Sequence, residues 1–509
     1  ITGENELTIG AKRLERPEDD VTLGTRDLSD LNRSPDELPG LEKTRTALST
    51  EDTGASRDRA AILHLGGGNL DTFGGWGLLG QSSPLFQSLL SGGYSSWGGE
   101  PAGGGSDGEE RYRLGFDGTL FPRGPWTFRF SGGGAALNAV LPYEGSQVET
   151  HRAYHLEGGA GGKLSDFSRL DLEVRDEQTD LSTWNGGQTL TSANEFQARG
   201  KVEFDEIDPF LRSLSLNGGL RKGSSGGFAP ADAKGYRQEW LGASCQWKAG
   251  DLDLTTSLQG QEGGEGLDLP LRFYPSARLL LYLPESAQLE VGYLNSREVD
   301  DFQEDDQDRA HLSDAGGFVP PTEHQNEWSL KWTQKVSETA IFSVFGSDGE
   351  IIGYHQWSDQ AGPGPPSYLQ GLTTLGRVEL RQAGANFQFD FDRDTALSVK
   401  YQWQQGLDPG DGRGFTDLPE HQVRASLQTG EEVWDAQLGF TWASSRRAFE
   451  DRPGDLPAYW TLDLSGDYHL DRAFGLWAKV ENPLGETYSL QPGYEEPRFY
   501  GRAGVEFSF

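Results

Sequence analysis

The segment Trp460-Thr-Leu-Asp-Leu-Ser-Gly-Asp-Tyr-His-Leu470 decides the fold of this chain. Every second residue in it is apolar or Gly, and the residues between are Thr, Asp, Ser, Asp and His. A period of two is typical of a β-strand that has one apolar and one polar face. We therefore expect strands whose two faces meet different surroundings.

The same alternation recurs around this segment. Leu397, Val399, Tyr401 and Trp403 alternate with polar residues, as do Trp434, Ala436, Leu438, Phe440 and Trp442. The last segment places Ala503, Val505, Phe507 and Phe509 on one face, and Arg502, Gly504, Glu506 and Ser508 on the other. The C-terminal part of the chain is therefore predicted to be a series of strands of this kind.

The connections between these segments distinguish a membrane barrel from a soluble sandwich. Tight turns are predicted at 283–287, 336–339, 392–394, 429–432 and 470–472, and long polar connections at 295–325, 347–375, 405–420, 444–457 and 482–498. Short and long connections alternate strictly, which is typical of an outer-membrane barrel with short periplasmic turns and long extracellular loops. A soluble sandwich gives no reason for this asymmetry.

Aromatic residues lie where the two membrane interfaces would be. Trp434 and Trp442 lie at the two ends of one strand's apolar face, and Trp460 and Tyr468 lie at the two ends of the next. Their amphipathic rings favour the level of the lipid headgroups. At roughly 20 residues per strand with its connection, the chain from Arg59 to Phe509 holds about 22 strands. The predicted fold is therefore all-β: a transmembrane antiparallel outer-membrane barrel with both termini in the periplasm.

Composition excludes several other classes. The 509 residues contain 44 Lys and Arg against 79 Asp and Glu, a net charge of -35, which argues against nucleic acid as a partner. There is no run of 18 apolar residues for a spanning helix, and the 11% aromatic content argues against disorder. The single cysteine, Cys245, can form no internal disulfide. A start at Ile1 rather than Met is expected of a mature exported chain.

The C-terminal sequence is similar to that of a known family. Val480-Glu-Asn-Pro-Leu-Gly-Glu-Thr-Tyr488, then Gly493-Tyr-Glu-Glu-Pro-Arg498 and a final strand ending in Phe509, resemble the tail of TonB-dependent outer-membrane receptors. Segments at 320–323, 345–351 and 376–380 resemble, in order, later barrel strands of that family. The resemblance implies that Phe507 and Phe509 are the signal for the barrel-assembly machinery. It is carried by residues 320–509 and says less about residues 60–300.

The N-terminal part departs from the family. We predict an extended or disordered arm over residues 1–58 and the barrel over 59–509, which leaves too little chain for the family's globular plug. The segment Glu6, Leu7, Thr8, Ile9, Gly10 and Ala11 resembles the box that binds the TonB-type coupling protein. A short strand or arm remnant is the alternative interpretation of this segment. The bore would be filled by the arm, by inward-folded loops such as 347–375, or by a separate protein.

Candidate site residues belong to the polar faces and to one loop. The predicted lumen-lining residues are Asp435, Gln437, Asp463, Asp467, Lys479, Glu481, Arg502 and Glu506. A loop with Asp300, Asp301, Glu304, Asp305, Asp306 and Asp308 is a candidate for divalent cations or for contact with lipopolysaccharide. It lacks the Gly and the final Glu of an EF-hand, so a solvated surface loop is the alternative. No other cofactor is predicted.

The sequence offers no arrangement of residues that we would assign to catalysis, so we expect no enzyme. Three functions remain open: a pore or partner-filled conduit of this receptor type without a plug, a TonB-coupled receptor for a siderophore-like nutrient, and the membrane anchor of a larger secretion or surface assembly. The expected partners are outer-membrane lipid and lipopolysaccharide, the barrel-assembly machinery, and either a protein in the bore or the coupling protein.

Overall fold

A computed structural model describes most of the predicted barrel. The described residues are 59–68, 73–97, 109–122, 124–140, 148–183, 188–205, 207–226, 234–265, 271–298, 322–359, 370–392, 394–407, 418–431, 433–447, 455–471, 473–489 and 499–508. The arm over 1–58, with the candidate coupling box Glu6–Ala11, lies outside them. So do the candidate cation residues Asp300–Asp308, and Phe509.

These residues form β-strands almost throughout. In chain order they are β1 Arg59–Gly68, β2 Phe73–Ser82, β3 Phe86–Trp97, β4 Glu109–Leu120, β5 Trp126–Val140, β6 Val148–Ser165, β7 Ser168–Thr183, β8 Gln188–Asp205, β9 Leu211–Gly226, β10 Lys234–Ala249, β11 Leu252–Glu265, β12 Arg272–Leu283, β13 Ala287–Glu298, β14 Thr322–Ser337, β15 Ala340–Asp359, β16 Gln370–Asp390, β17 Ala396–Leu407, β18 His421–Glu431, β19 Trp434–Ala443, β20 Arg446–Arg447, β21 Asp455–Leu456, β22 Tyr459–His469, β23 Phe474–Glu481 and β24 Tyr500–Ser508. Within the described ranges, no helix is long and apolar enough to cross a membrane.

Twenty-two of these strands form one closed antiparallel sheet. Each strand pairs with its neighbour in the chain, and β1 pairs with β24 from Ile62 opposite Ser508 to Gly68 opposite Arg502. The two-residue strands β20 and β21 pair only with each other, in the connection between β19 and β22. Closure leaves no free sheet edge, which a bilayer requires because hydrocarbon cannot satisfy backbone polar groups. The predicted fold and strand number are confirmed.

The connections at one end of the barrel contain two to five residues, and those at the other end contain four to 23. Short acidic side chains form several of the tight turns. Asp392 Oδ1 accepts the backbone N–H groups of Asp394 and Thr395 at 2.9 and 2.8 Å, and Asp471 Oδ1 accepts those of Ala473 and Phe474 at 2.7 and 2.9 Å. Asp favours such turns because its carboxylate replaces a backbone acceptor.

The prediction of a long connection at 347–375 is largely wrong. β15 continues to Asp359 and β16 begins at Gln370, so most of this segment belongs to two paired strands of 20 and 21 residues. The hypothesis of an inward-folded loop over 347–375 fails for the same reason. The polarity that indicated a loop comes from charged residues on the outer face, where both strands extend beyond the apolar band.

The aromatic residues predicted at the membrane interfaces face each other across neighbouring strands. Trp434 lies opposite Tyr468 at one end of the pairing of β19 with β22, and Trp442 lies opposite Trp460 at the other end. Rings of this kind favour the level of the lipid headgroups. Their separation therefore marks the part of the wall that contacts lipid hydrocarbon.

Candidate functional site

The strand register assigns each predicted lumen residue to a face of the sheet. Asp435 lies opposite Asp467, Asp463 opposite Glu481, and Lys479 opposite Arg502. With Gln437, which is opposite Ser465, and Glu506, all eight predicted residues share one face of β19 and β22–β24. The other face carries exposed apolar side chains such as Leu464, Tyr468 and Leu476. We infer that the polar face lines the bore, because lipid accepts the apolar face at far lower cost.

A denser set of charges lies on the polar face of β5–β9, which the sequence prediction missed. Its members are acids and bases within ion-pair distance, namely Arg129–Asp171 at 3.6 Å, Arg169–Asp171 at 3.0 Å, Arg175–Glu177 at 2.6 Å, Arg199–Glu173 at 2.5 Å, Lys201–Glu203 at 3.1 Å and the contact of Arg221 with Glu195. Acids and bases are mixed on this face, although Asp171 and Glu173 follow each other on β7 and Glu177 lies opposite Glu195 on β8. This part of the inner face therefore carries charged side chains that can bind a solute, while its acids and bases nearly cancel in total charge.

The sequence of β7 contains the signal for this charged wall. From Arg169 to Glu177, charged residues at odd positions alternate with Leu170, Leu172 and Val174, and then with Asp176. The two leucines and the valine face outward, where Leu172 and Val174 are exposed. The period of two would have placed Arg169, Asp171, Glu173, Arg175 and Glu177 in the bore together. What the sequence alone could not give is the set of strands near β7, from which Arg199 of β8 reaches Glu173 and Arg129 of β5 reaches Asp171.

Neutral amides lie at the long-connection end of the polar face of β16–β18, next to two bases on the same face, Lys400 and Arg424, which are opposite each other. Gln382 lies opposite Gln404, and Gln402 lies opposite Gln422. All four are buried, and the Gln402 amide donates to Gln404 Oε1 at 3.1 Å. Gln404 Nε2 in turn donates to the carbonyl of Pro419 at 3.0 Å. The segment 418–420 is thereby held against the inner wall above β17.

A small apolar cluster lies next to these amides on the same face. Ile351 of β15 and Val378 of β16 are fully enclosed, with Leu380 and Leu418 packed against them. Beside it His324 Nδ1 lies 3.4 Å from Glu327 Oε2, and both side chains are buried. This packing narrows the long-connection end of the bore along β14–β17.

The seam where the chain closes on itself has its own inward-facing cluster. His64 of β1 contacts Glu506 of β24, and its ring stacks on Trp76 at 4.2 Å and lies 6.1 Å from Trp477. Gly66 and Gly504 lie directly beneath the Trp477 ring, where any side chain would collide with it. The cluster therefore fixes the register in which the first and last strands meet.

The remaining predicted site residues are only partly described. Phe507 lies on the outer face opposite Leu63 and Phe474, and its ring centroid is 5.3 Å from that of Phe474. Among the described residues there is no group of three or more His, Cys, Asp or Glu that could hold a metal ion. The coupling box, the cation loop and the assembly signal therefore stay predictions.

A closed 22-stranded antiparallel barrel with an apolar outer face and a charged inner face is the architecture of TonB-dependent outer-membrane receptors, and this chain shares it. No family model and no curated protein matches the sequence. Solved structures match in fold. A variant of the ferric enterobactin receptor PfeA from Pseudomonas aeruginosa is 13% identical with a TM-score of 0.71, over 90% of this chain and 81% of that one.

Two further structures agree. The copper transporter OprC is 12% identical with a TM-score of 0.70, over 89% of this chain and 80% of that one. The siderophore receptor PirA from Acinetobacter baumannii is 9% identical with a TM-score of 0.69, over 89% and 80%. The resemblance of the C-terminal sequence to TonB-dependent receptors is thus confirmed at the level of the fold.

Proposed function

We propose that this chain is an uptake receptor of the outer membrane, which passes a scarce metal chelate through its bore with energy from a TonB-type coupling protein. The observation that carries the proposal is the barrel itself, which is similar to structures of siderophore receptors and of a copper transporter over nine-tenths of the chain. A receptor of this kind binds and conducts a solute and carries out no reaction on it.

The inner face supports this function. The paired charges of β5–β9 and the amides of β16–β18 form two different polar surfaces in one bore. Hydrogen-bonding groups of both kinds bind a polar solute reversibly, because each contact that the solute makes replaces a contact with water. Glu6–Ala11 would be the coupling segment, and the short connections and both termini would face the periplasm.

Uptake of ⁵⁵Fe-labelled ferric enterobactin tests the proposal, in a porin-deficient Gram-negative strain that lacks its own receptors for this chelate. We expect uptake that an uncoupler abolishes and that deletion of residues 6–11 also abolishes, while the amount of folded barrel stays unchanged. Ferric citrate and Cu²⁺ are the parallel probes. Uptake of none of the three in energised cells would overturn the proposal.

The same strain separates the two other functions. Entry of vancomycin without any energy source would show an open pore, which a width of 22 strands permits. Recovery of a second protein in fixed ratio after detergent extraction and gradient purification would show a partner-filled conduit or a scaffold. Either result, without energy-dependent uptake, replaces the receptor function.

A further inference from the structure

Five charged side chains lie together on the outer face of β15 and β16, the face that otherwise contacts lipid. Asp348 lies opposite Arg381, Glu350 opposite Glu379, and Arg377 opposite Ile352. Further down the same face of both strands lie Val344, Phe342 and Phe387, of which Val344 and Phe387 are exposed. We call Asp348, Glu350, Arg377, Glu379 and Arg381 the outer charged patch.

The height of the patch follows from the strand geometry. Ten residues separate Phe391, in the tight turn after β16, from Arg381, which is about 23 Å of height at a rise of about 3.3 Å per residue and a tilt near 45°. The apolar band of such a barrel is about 25 Å tall. Arg381 therefore lies at the upper edge of that band, and Arg377 lies above it.

An aromatic pair marks the same level independently. Trp328 of β14 lies opposite Asp348, and its ring centroid is 4.7 Å from that of Tyr293 on β13. Trp328 is 58% exposed on the outer face. Because amphipathic rings favour the headgroup level, the patch begins where lipid hydrocarbon gives way to headgroups.

The charges in the patch are connected but not balanced. Arg381 Nε lies 3.1 Å from Asp348 Oδ1 and Arg381 Nη2 lies 3.3 Å from Glu379 Oε2, while Arg377 contacts Glu350. Both arginine side chains are about half exposed to solvent, 58% for Arg377 and 50% for Arg381. The three carboxylates exceed the two guanidinium groups by one negative charge. Glu350 Oε2 is buried and has no hydrogen-bond partner among the described residues.

We propose that the outer charged patch binds the phosphate groups of lipopolysaccharide in the outer leaflet, with one divalent cation shared between a phosphate and the carboxylates. Exposed, planar guanidinium groups bind phosphate oxygens in pairs. The surplus carboxylate would repel a phosphate unless a hard cation with oxygen ligands bridges the two. A phospholipid leaflet without such cations fits this charge distribution less well.

The matched control lies on another side of the barrel. Arg237 and Glu239 of β10 form a contact on the outer face near Leu241, which is also exposed there. Lys222 lies opposite Arg237 and Glu262 opposite Glu239 on the same face, so this group has two bases for two acids and a single arginine. Arg237→Gln therefore removes an exposed outward arginine without touching the patch.

The experiment measures binding of fluorescent rough-type lipopolysaccharide to the purified barrel in detergent, with Mg²⁺ or with EDTA. We expect R377Q/R381Q to weaken binding at least roughly tenfold, which corresponds to the loss of strong charge-assisted contacts, and R237Q to change it less than about twofold. EDTA should weaken binding to the unmodified chain, and E350Q should remove most of that response. If the double variant does not show the heat-dependent gel shift of a folded barrel, the single variants R377Q and R381Q replace it in the binding measurement.

Three results would overturn the proposal. The first is an equal loss of binding in R237Q, which would mean that lipopolysaccharide contacts the whole circumference without a site. The second is competition by phosphatidylglycerol micelles as strong as that by lipopolysaccharide itself. The third is binding that EDTA leaves unchanged, which would remove the bridging cation. None of these outcomes depends on which solute the bore carries.

Discussion

His64 and Glu506 stand 442 residues apart in the sequence and touch across the seam between the first and last strands. Their contact lies on the inner face, where the His64 ring stacks on that of Trp76 and also lies parallel to that of Trp477. Both side chains are mostly shielded from solvent, so the contact holds the barrel closed at a point that no local turn controls. It is the point at which the fold depends on the whole chain having assembled.

Removing this contact should weaken closure. His64→Ala leaves the Glu506 carboxylate without its main partner, and we expect a loss of about 1–3 kcal/mol in the free energy of unfolding. Urea titration in detergent, followed by tryptophan fluorescence and by the gel shift of the folded barrel, measures it. Ser465→Ala, on the polar face of β22, is the control. Equal losses of unfolding free energy in the two variants would show that the contact of His64 with Glu506 contributes nothing specific to the stability of the barrel.

The two seam glycines should be sensitive to the smallest side chain. A Cβ at Gly66 would meet the Trp477 ring and the Ala503 carbonyl, so Gly66→Ala forces the ring to move. Overpacking of this kind costs about 1–3 kcal/mol. We expect G66A to reduce the folded fraction, and G66A/W477A to regain part of it because the ring is gone. The absence of any recovery would assign the effect to the backbone instead.

The turn between β16 and β17 should give a pH-dependent contribution. Hydrogen bonds from the backbone N–H of Asp394, and then from Thr395, lower the pKa of Asp392 below its usual value. Asp392 therefore stabilises the folded barrel above the unfolded pKa of about 4, and the contribution is lost as the pH falls through the lower folded pKa. We expect Asp392→Ala to lower the urea midpoint at pH 7, with the difference vanishing at strongly acidic pH. A difference that is independent of pH would contradict this.

The sequence predicts the strands of this barrel better than their ends and their partners. β22 and β24 follow from alternation alone, because lipid demands one apolar face over the whole crossing. The prediction of a loop over 347–375 missed the upper part of β15 and the first residues of β16, because Asp348 and Glu350 make the outer face polar above the membrane. Alternation vanishes there although the backbone pairing continues.

The site residues divide in the same way into features that one strand determines and features that depend on its neighbours. The predicted lumen residues of β19 and β22–β24 share one face because the period of two fixes that relation within each strand. Contacts such as those of His64 with Glu506, or of Arg221 with Glu195, depend on which strands are neighbours and in which register. Register is set by turn lengths and bulges summed along the wall, so these pairs could not be found from one sequence.

The contact of Arg221 with Glu195 provides the sharpest test of the charged wall. Both side chains are almost fully shielded, so losing one charge leaves the other buried without its main partner. We expect Arg221→Met to cost about 3–5 kcal/mol of unfolding free energy, and R221M/E195M to cost far less. Arg199→Met is the control, because Arg199 is 56% exposed and its pairing with Glu173 should contribute about 0–1 kcal/mol. Urea midpoints of the unmodified chain, R221M, E195M and R221M/E195M give the coupling energy, and equal losses in R221M and R199M would mean that water reaches both pairs alike.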